Sequence, residues 1–264
     1  MFHIAYIFIS FSLEGIMDTL KIINIFKSID GEAYHSGKAT LFLRTFGCNL
    51  KCRYSTASDS EGCCDTPESL TLEGYRKVFG DKPLAEMTPD EAFVSCQALN
   101  PDRTIDHITI TGGEPLLPCN QPWMKAFALK MLSAGYDVDF ETNGAVDYTE
   151  MVAWRSHLDG LKPHLHFIMD WKCPGSGMNR YMYESNLPLL SKELDVIKCV
   201  CKDGDLAEVE RILPRVSAPV YISPCWGQVD LPSLADFAMK HAQYGVRVQF
   251  QIHKLIYGAD DRFH

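Results

Sequence analysis

Residues 39–67 read ATLFLRTFGCNLKCRYSTASDSEGCCDTP. The first eight, residues 39–46, are β-branched, aromatic and apolar, which is a strand pattern. A glycine follows, and then a loop, residues 47–67, that carries four of the chain's ten cysteines: Cys48, Cys52, Cys63 and Cys64. A strand that empties directly into a polar, sulfur-rich loop is how a parallel α/β fold builds its reactive face, because chemistry in such folds collects at strand carboxyl ends.

The rest of the chain repeats that order. Strand patterns recur at residues 105–111, 136–142, 164–172, 194–201, 219–223 and 246–253, giving seven candidates in all. Helical apolar spacing lies between them at residues 122–135, 206–213 and 231–245, the first with Pro122 near its start and Gly135 as its stop. Strands alternating with helices imply a parallel sheet with right-handed crossovers. Seven strands are one short of a closed eight-stranded barrel, so the expected fold is α/β, an open, partial β/α barrel; a doubly wound sheet is the alternative that periodicity does not separate. Residues 68–103 interrupt the alternation as an insertion with helices. The strand patterns end in polar, Gly-rich or Cys-bearing segments: GCNLKC, then GGEP at 112–115, NG at 143–144, CPGSG at 173–177, PCWG at 224–227 and HK at 253–254.

Composition narrows the class. With 264 residues, 46% of them hydrophobic and 22% charged, the chain has enough apolar material for a sizeable core. The net charge of −9 and the lack of any long Lys/Arg run argue against a nucleic-acid face. The other six cysteines are scattered or alternate within an apolar run, as at Cys199 and Cys201, so they read as small core or surface thiols of a reduced, cytoplasmic chain and not as a secreted disulfide scaffold. Residues 1–16 are apolar but lack Lys and Arg and are short for a membrane span. They are expected to be an upstream extension before an internal start at Met17, leaving a single domain over 17–264; a short membrane-surface anchor is the rival reading.

Thiolates at short spacing bind soft metals. Cys48 and Cys52 make one pair, but the adjacent Cys63 and Cys64 are awkward as a second chelating pair, so a closed four-cysteine zinc site fits poorly. Three cysteines of this set suit three irons of a [4Fe–4S] cluster, with the fourth iron open to an outside ligand. With TGGEP at 111–115 after the second strand, the loop resembles that of the radical S-adenosylmethionine enzymes. In order along residues 22–258, the segments FKSIDGE, GCNLKC, CDT, TGGEP, ETNG and QIHK resemble the 7-carboxy-7-deazaguanine synthase (QueE) family. The chain departs from that pattern in three places. Asp30 and Ala33 stand for the usual Gln and Gly. Eleven residues, not two, separate Cys52 from Cys64. Eleven residues come after His253.

The resemblance implies a lyase of the radical class that converts 6-carboxy-5,6,7,8-tetrahydropterin to 7-carboxy-7-deazaguanine with loss of ammonia, feeding queuosine or another deazaguanine modification. It implies a [4Fe–4S] cluster on Cys48, Cys52 and Cys64, with Cys63 as rival to Cys64, and S-adenosyl-L-methionine as cofactor. Gly112, Gly113, Glu114, Thr142, Asn143, Lys172 and Ser176 would lie along that cofactor. Thr66 would give an oxygen to Mg2+. Glu32 would meet the pterin edge, Arg44 would clamp a carboxylate, and His253 would contact the substrate near the barrel mouth. The partners implied are the pterin, an electron donor such as flavodoxin or ferredoxin, and a second copy in a homodimer, with no nucleic acid and no membrane. Each residue also has an ordinary role to set beside this: strand-ending turns for GGEP and NG, a salt bridge for Arg44, a structural imidazole for His253. A glycyl-radical-enzyme activase and a non-catalytic metal-binding module are the competing functions.

Overall fold

The computed structural model describes residues 19–54, 64, 66–225 and 227–258. The upstream extension, Met17, Cys63 and the last six residues lie outside the described residues. The principal elements in chain order are β1 Leu20–Ile29, β2 Ala39–Thr45, α1 Leu72–Phe79, β3 Ala85–Met87, α2 Pro89–Leu99, β4 His107–Gly112, α3 Gln121–Ser133, β5 Asp137–Thr142, α4 Thr149–Ser156, β6 Leu165–Asp170, β7 Val196–Cys201, α5 Leu206–Ile212, β8 Val220–Pro224, α6 Leu231–Lys240, β9 Arg247–Val248 and α7 Ile252–Tyr257.

All nine strands form one sheet in the order β3-β1-β2-β4-β5-β6-β7-β8-β9. From β2 to β9 every pairing is parallel and the order never reverses, so there is no switch point of the kind a doubly wound sheet requires. The sheet is an open, partial barrel with β3 and β9 at its edges. β1 and β3 extend it beyond the seven expected strands: β1 pairs antiparallel with β2, and β3 antiparallel with β1. Residues 68–103 contain α1 and α2, with β3 between them. The eight-residue strand expected at 246–253 shrinks to Arg247–Val248, and His253 instead sits in the first turn of α7.

Alternation of side chains across each strand separates two faces. One is apolar: Leu41, Leu43, Ile108, Ile110, Val138, Phe140, Phe167 and Ile197 share a core with Trp123, Phe127, Met151, Val209 and Leu234 from the crossover helices. The other is polar, with Thr109, Thr111, Asp139, Glu141, Asp170 and Lys198 pointing to the interior, where the β1–β2 loop and the start of α7 fill it. Helix starts reflect local chemistry. Thr88 and Glu91 form a reciprocal capping box ahead of α2 (Glu91 N to Thr88 Oγ1 3.2 Å, Thr88 N to Glu91 Oε2 2.8 Å), and Asp230 accepts from Ser233 N at 3.1 Å ahead of α6. Nine cysteines are described and all are free thiols; of the six outside the loop, five are buried and Cys119 is exposed. No helix among the described residues is long and apolar enough to cross a membrane.

Candidate active site

The loops after the first strands of the parallel series are knitted to one another through backbone. Gly113 N donates to Thr45 O at 2.9 Å, and Glu114 N donates to Gly47 O at 2.8 Å. Gly112 has φ +114, and a Cβ there would meet the backbone of Thr45. A Cβ on Gly113 would run into the carbonyl of Gly47. These glycines therefore make room for the backbone of Thr45 and of Gly47 in the cysteine loop.

Glu114 completes the knot. Its buried carboxylate accepts from Leu116 N at 2.8 Å and Thr142 Oγ1 at 2.6 Å through Oε1, and from Asn143 N at 2.6 Å through Oε2. Burial pushes its pKa up to about 7 against those three donors. Asn143 then reaches the cysteine loop, with Nδ2 at 2.7 Å from Asn49 Oδ1 and 3.5 Å from Cys48 Sγ. Tyr148, which no sequence motif marks, locks the same corner: its hydroxyl donates to Thr142 Oγ1 at 2.8 Å and accepts from Gly144 N at 3.0 Å.

Cys48 also accepts from Leu50 N at 3.4 Å, and burial raises its thiol pKa. Cys48 and Cys52 belong to one small cluster with Leu50 and Ala145. Cys64 Sγ lies 3.5 Å from Thr66 Oγ1, and Ser69 Oγ stands 3.4 Å from the same hydroxyl. The segment after β6 borders this loop: Arg53 N donates to Ser176 O at 3.0 Å, and Lys172 Nζ lies 5.4 Å from the centre of the Tyr54 ring. Lys172 pairs with Asp170 at 2.7 Å, while the Ser176 hydroxyl is spent on Cys173 O at 2.7 Å. Ser176, like Glu114, holds loops together more than it faces outward.

The three residues expected at the substrate, Glu32, Arg44 and His253, line one cavity with Phe26, Phe42, Gly31, Thr111 and Glu141. It is a small, open-mouthed cavity of about 120 Å3. Phe26 and Phe42 stack at 5.2 Å and 15°, and the Arg44 guanidinium lies 5.3 Å from the Phe26 ring centre. Arg44 is oriented by Asn24 Oδ1 at 2.7 Å and by the buried Glu68 at 3.2 Å. At the centre of the polar face Lys198 Nζ meets Glu32 Oε2 at 2.7 Å, Glu141 Oε1 at 3.0 Å and Asp170 Oδ1 at 3.8 Å. Glu32 Oε1 is buried without a hydrogen-bond partner among the described residues. Burial first, and then the neighbouring carboxylates, outweigh Lys198 and push Glu141 up to about 7. Sequence reasoning missed Lys198, Glu141, Asp170 and Glu68. The available signal was polar residues at every second position inside parallel strands, as in YDVDFET, where a sheet covered on both faces runs apolar throughout.

His253 packs its ring against Gly31, where a Cβ would collide with Nδ1, and Ile252 N donates to Gly31 O at 3.2 Å. Since a side chain gives way more readily than backbone, Gly31→Ala is expected to displace His253 with about 1 kcal/mol or less of stability lost. Binding of the pterin that the sequence resemblance implies should weaken about tenfold or more, and calorimetric titration checks this; unchanged affinity would remove His253 from the candidate site.

The fold and this site are those of an enzyme built on a partial β/α barrel, with its candidate site at the strand carboxyl ends. The chain is 32% identical over 242 residues to the 7-carboxy-7-deazaguanine synthase of Methanospirillum hungatei, covering 90% of this chain and 85% of that protein. It is 29% identical over 247 residues to the synthase of Clostridium acetobutylicum, covering 92% and 98%. The crystal structure of QueE from Escherichia coli superposes with a TM-score of 0.56 at 18% identity, over 88% of this chain and 94% of that one, a likeness of fold. No protein-family model matches. The chain belongs to the 7-carboxy-7-deazaguanine synthase family.

Proposed function

We propose that this chain converts 6-carboxy-5,6,7,8-tetrahydropterin to 7-carboxy-7-deazaguanine with release of ammonia, as a carbon–nitrogen lyase of the radical S-adenosylmethionine class. The observation that carries the reading is the meeting of Glu32, Arg44 and His253, distant in sequence, in one cavity beside Thr111, the residue that opens TGGEP. The relatives from Methanospirillum hungatei and Clostridium acetobutylicum are synthases, which favours this over an activase or a metal-binding module.

The cysteine loop suits a [4Fe–4S] cluster. Cys48 Sγ already receives N–H groups from Leu50 and Asn143, contacts that stabilise a metal-bound thiolate, and Cys52 and Cys64 would supply the other two sulfurs. Such a cluster, bound together with S-adenosyl-L-methionine, would supply one-electron radical chemistry. Gly112, Gly113, Thr142, Asn143 and Lys172 would border that cofactor, with Glu114 and Ser176 fixing the loops that carry them. Thr66 Oγ1 would offer one hard oxygen to Mg2+.

Within the cavity, Arg44 presents a guanidinium whose plane Asn24 and Glu68 hold, suited to a planar carboxylate. Glu32, anchored through Oε2, turns Oε1 to the N–H groups of a pterin edge. The Phe26–Phe42 pair offers an apolar wall to a flat ring. Glu141 can hold or release a proton near neutral pH in the same cavity, where ammonia must be protonated as it leaves. A flavodoxin or ferredoxin as electron donor, a homodimer and a cytoplasmic location belong to the same reading.

The test is anaerobic reconstitution followed by incubation with the pterin, S-adenosyl-L-methionine and a reductant. The parent is expected to hold about four irons and to form 7-carboxy-7-deazaguanine, seen by mass. Cys64→Ala should lose both. Cleavage of S-adenosyl-L-methionine without that product would defeat the assignment of substrate.

A further inference from the structure

On the interior face of the sheet, at the amino ends of its strands and away from the cysteine loop, three acidic or imidazole side chains converge with their ligand atoms within 4.8 Å of one another: Asp30, His107 and Asp139. All three are buried. Each is oriented by a partner of its own. Asp30 Oδ1 accepts from Glu32 N at 3.0 Å, and Oδ2 accepts from Thr109 Oγ1 at 2.9 Å. Asp139 Oδ2 lies 2.8 Å from His35 Nδ1. Thr40 Oγ1 gives its proton to Lys38 O at 3.2 Å and so accepts from His107 Nδ1 at 2.8 Å.

That last contact places a proton on His107 Nδ1 and turns Nε2 inward, 3.2 Å from Asp139 Oδ2. The interior here is dry, and neither His107 Nε2 nor Asp139 Oδ1 meets hydrogen-bond geometry with any group among the described residues. Buried polar atoms without partners are costly, and a cation held among these side chains would satisfy them. The donors are one imidazole nitrogen and two carboxylates, each held from behind by a second group, which is the construction of a protein metal site. Ligand atoms around a tetrahedral zinc, each about 2.0–2.2 Å from the ion, lie roughly 3.4 Å apart, within reach of these separations.

We propose that Asp30, His107 and Asp139 form a binding site for a divalent first-row transition ion, Zn2+ first among them, separate from the cysteine loop. Asp30 ties the site to the cavity, since it lines the cavity beside Glu32 while its carboxylate turns to His107 and Asp139. It also stands where the resembling family carries Gln, so the site would be a property of this chain's own β1–β2 loop. The ion would brace that loop, and with it Glu32, against the sheet. The site does not depend on the proposed lyase reaction.

The test uses the full chain, expressed with added zinc, purified anaerobically and reconstituted. Zinc and iron are counted together, and the zinc first shell is read by X-ray absorption. One zinc per chain is expected, with only nitrogen and oxygen neighbours at about 2.0–2.1 Å and no sulfur at about 2.3 Å. Asp30→Gln and His107→Gln should each lower the zinc to below a tenth per chain at an unchanged iron count. Zinc with sulfur neighbours, zinc retained in both variants, or less than half a zinc per chain in the parent would each overturn the site, the last leaving a proton-bridged cluster. Asp30→Gln sits in the β1–β2 loop and carries the test alone if His107→Gln does not fold.

Discussion

Gly113→Ala is expected to lower the iron bound after reconstitution to less than half that of the parent. The added Cβ would be driven into the carbonyl group of Gly47, whose carbon lies 2.5 Å from its position. Neither side can yield cheaply, because both are backbone and both are tied: Gly113 N to Thr45 O, and Glu114 N to Gly47 O. Relief requires the GGEP loop to move off the cysteine loop. That movement also pulls on the Glu114 carboxylate and, through Asn143, on Cys48. Overpacking of a filled site costs about 1–3 kcal/mol, and the two backbone hydrogen bonds add about 1 kcal/mol each. A loss of about 3–5 kcal/mol in urea unfolding is therefore expected along with the loss of iron. A parent-like unfolding midpoint together with parent-like iron would show that the two loops are not coupled through this contact.

That expectation rests on a role for Gly112 and Gly113 that their sequence does not reveal. Paired glycines after a strand announce a close approach but do not name the partner, and here it is the backbone of Thr45 and Gly47, brought in by the parallel register of β2 with β4. The seven parallel strands are legible because each run of β-branched and aromatic residues ends at a polar or glycine stop. β1 is not, because LKIINIFKSI precedes the alternation and pairs antiparallel through a loop whose residues read as a binding motif. β9 is shorter than its pattern: VRVQFQIH suits a long strand, yet it lies at the sheet edge with a partner on one side only. After Val248 the chain leaves the ladder, and by Ile252 it is pinned to Gly31 and starts α7. Motifs locate Glu32, Arg44 and His253, but nothing local in VIKCVC tells a buried cation from a surface one. Lys198 acquires its meaning from register, which sets it beside Asp170, and from the loop that delivers Glu32.

Lys198→Met carries the second large effect. Its ammonium is the shared partner of Glu32, Glu141 and Asp170 and is nearly inaccessible to solvent; those carboxylates outweigh burial and hold its pKa well above the usual lysine value. Removing one partner from a buried ionic cluster typically costs about 3–5 kcal/mol, because the charge left behind has neither water nor a counter-ion. The methionine fills most of the volume, so the loss is electrostatic. It should also depend on pH in a direction set by Glu141. That carboxyl already titrates at about 7, above the ordinary carboxylate value, because burial disfavours its charge. A carboxyl raised in the folded state favours folding at low pH, where it is protonated. That favour is lost as pH rises from its unfolded value toward its folded one. Without Lys198 the folded value rises further, so the deficit should be smallest near pH 5 and largest near pH 8. Urea unfolding of parent and variant at the two pH values reads it directly. A deficit that is flat with pH would mean that the loss comes from packing, and a deficit that shrinks as pH rises would reverse the assignment of Glu141 as the strained acid. Since Glu32 is anchored through the same ammonium, pterin affinity should fall with stability at pH 8 and recover in part at pH 5, where Glu141 holds a proton.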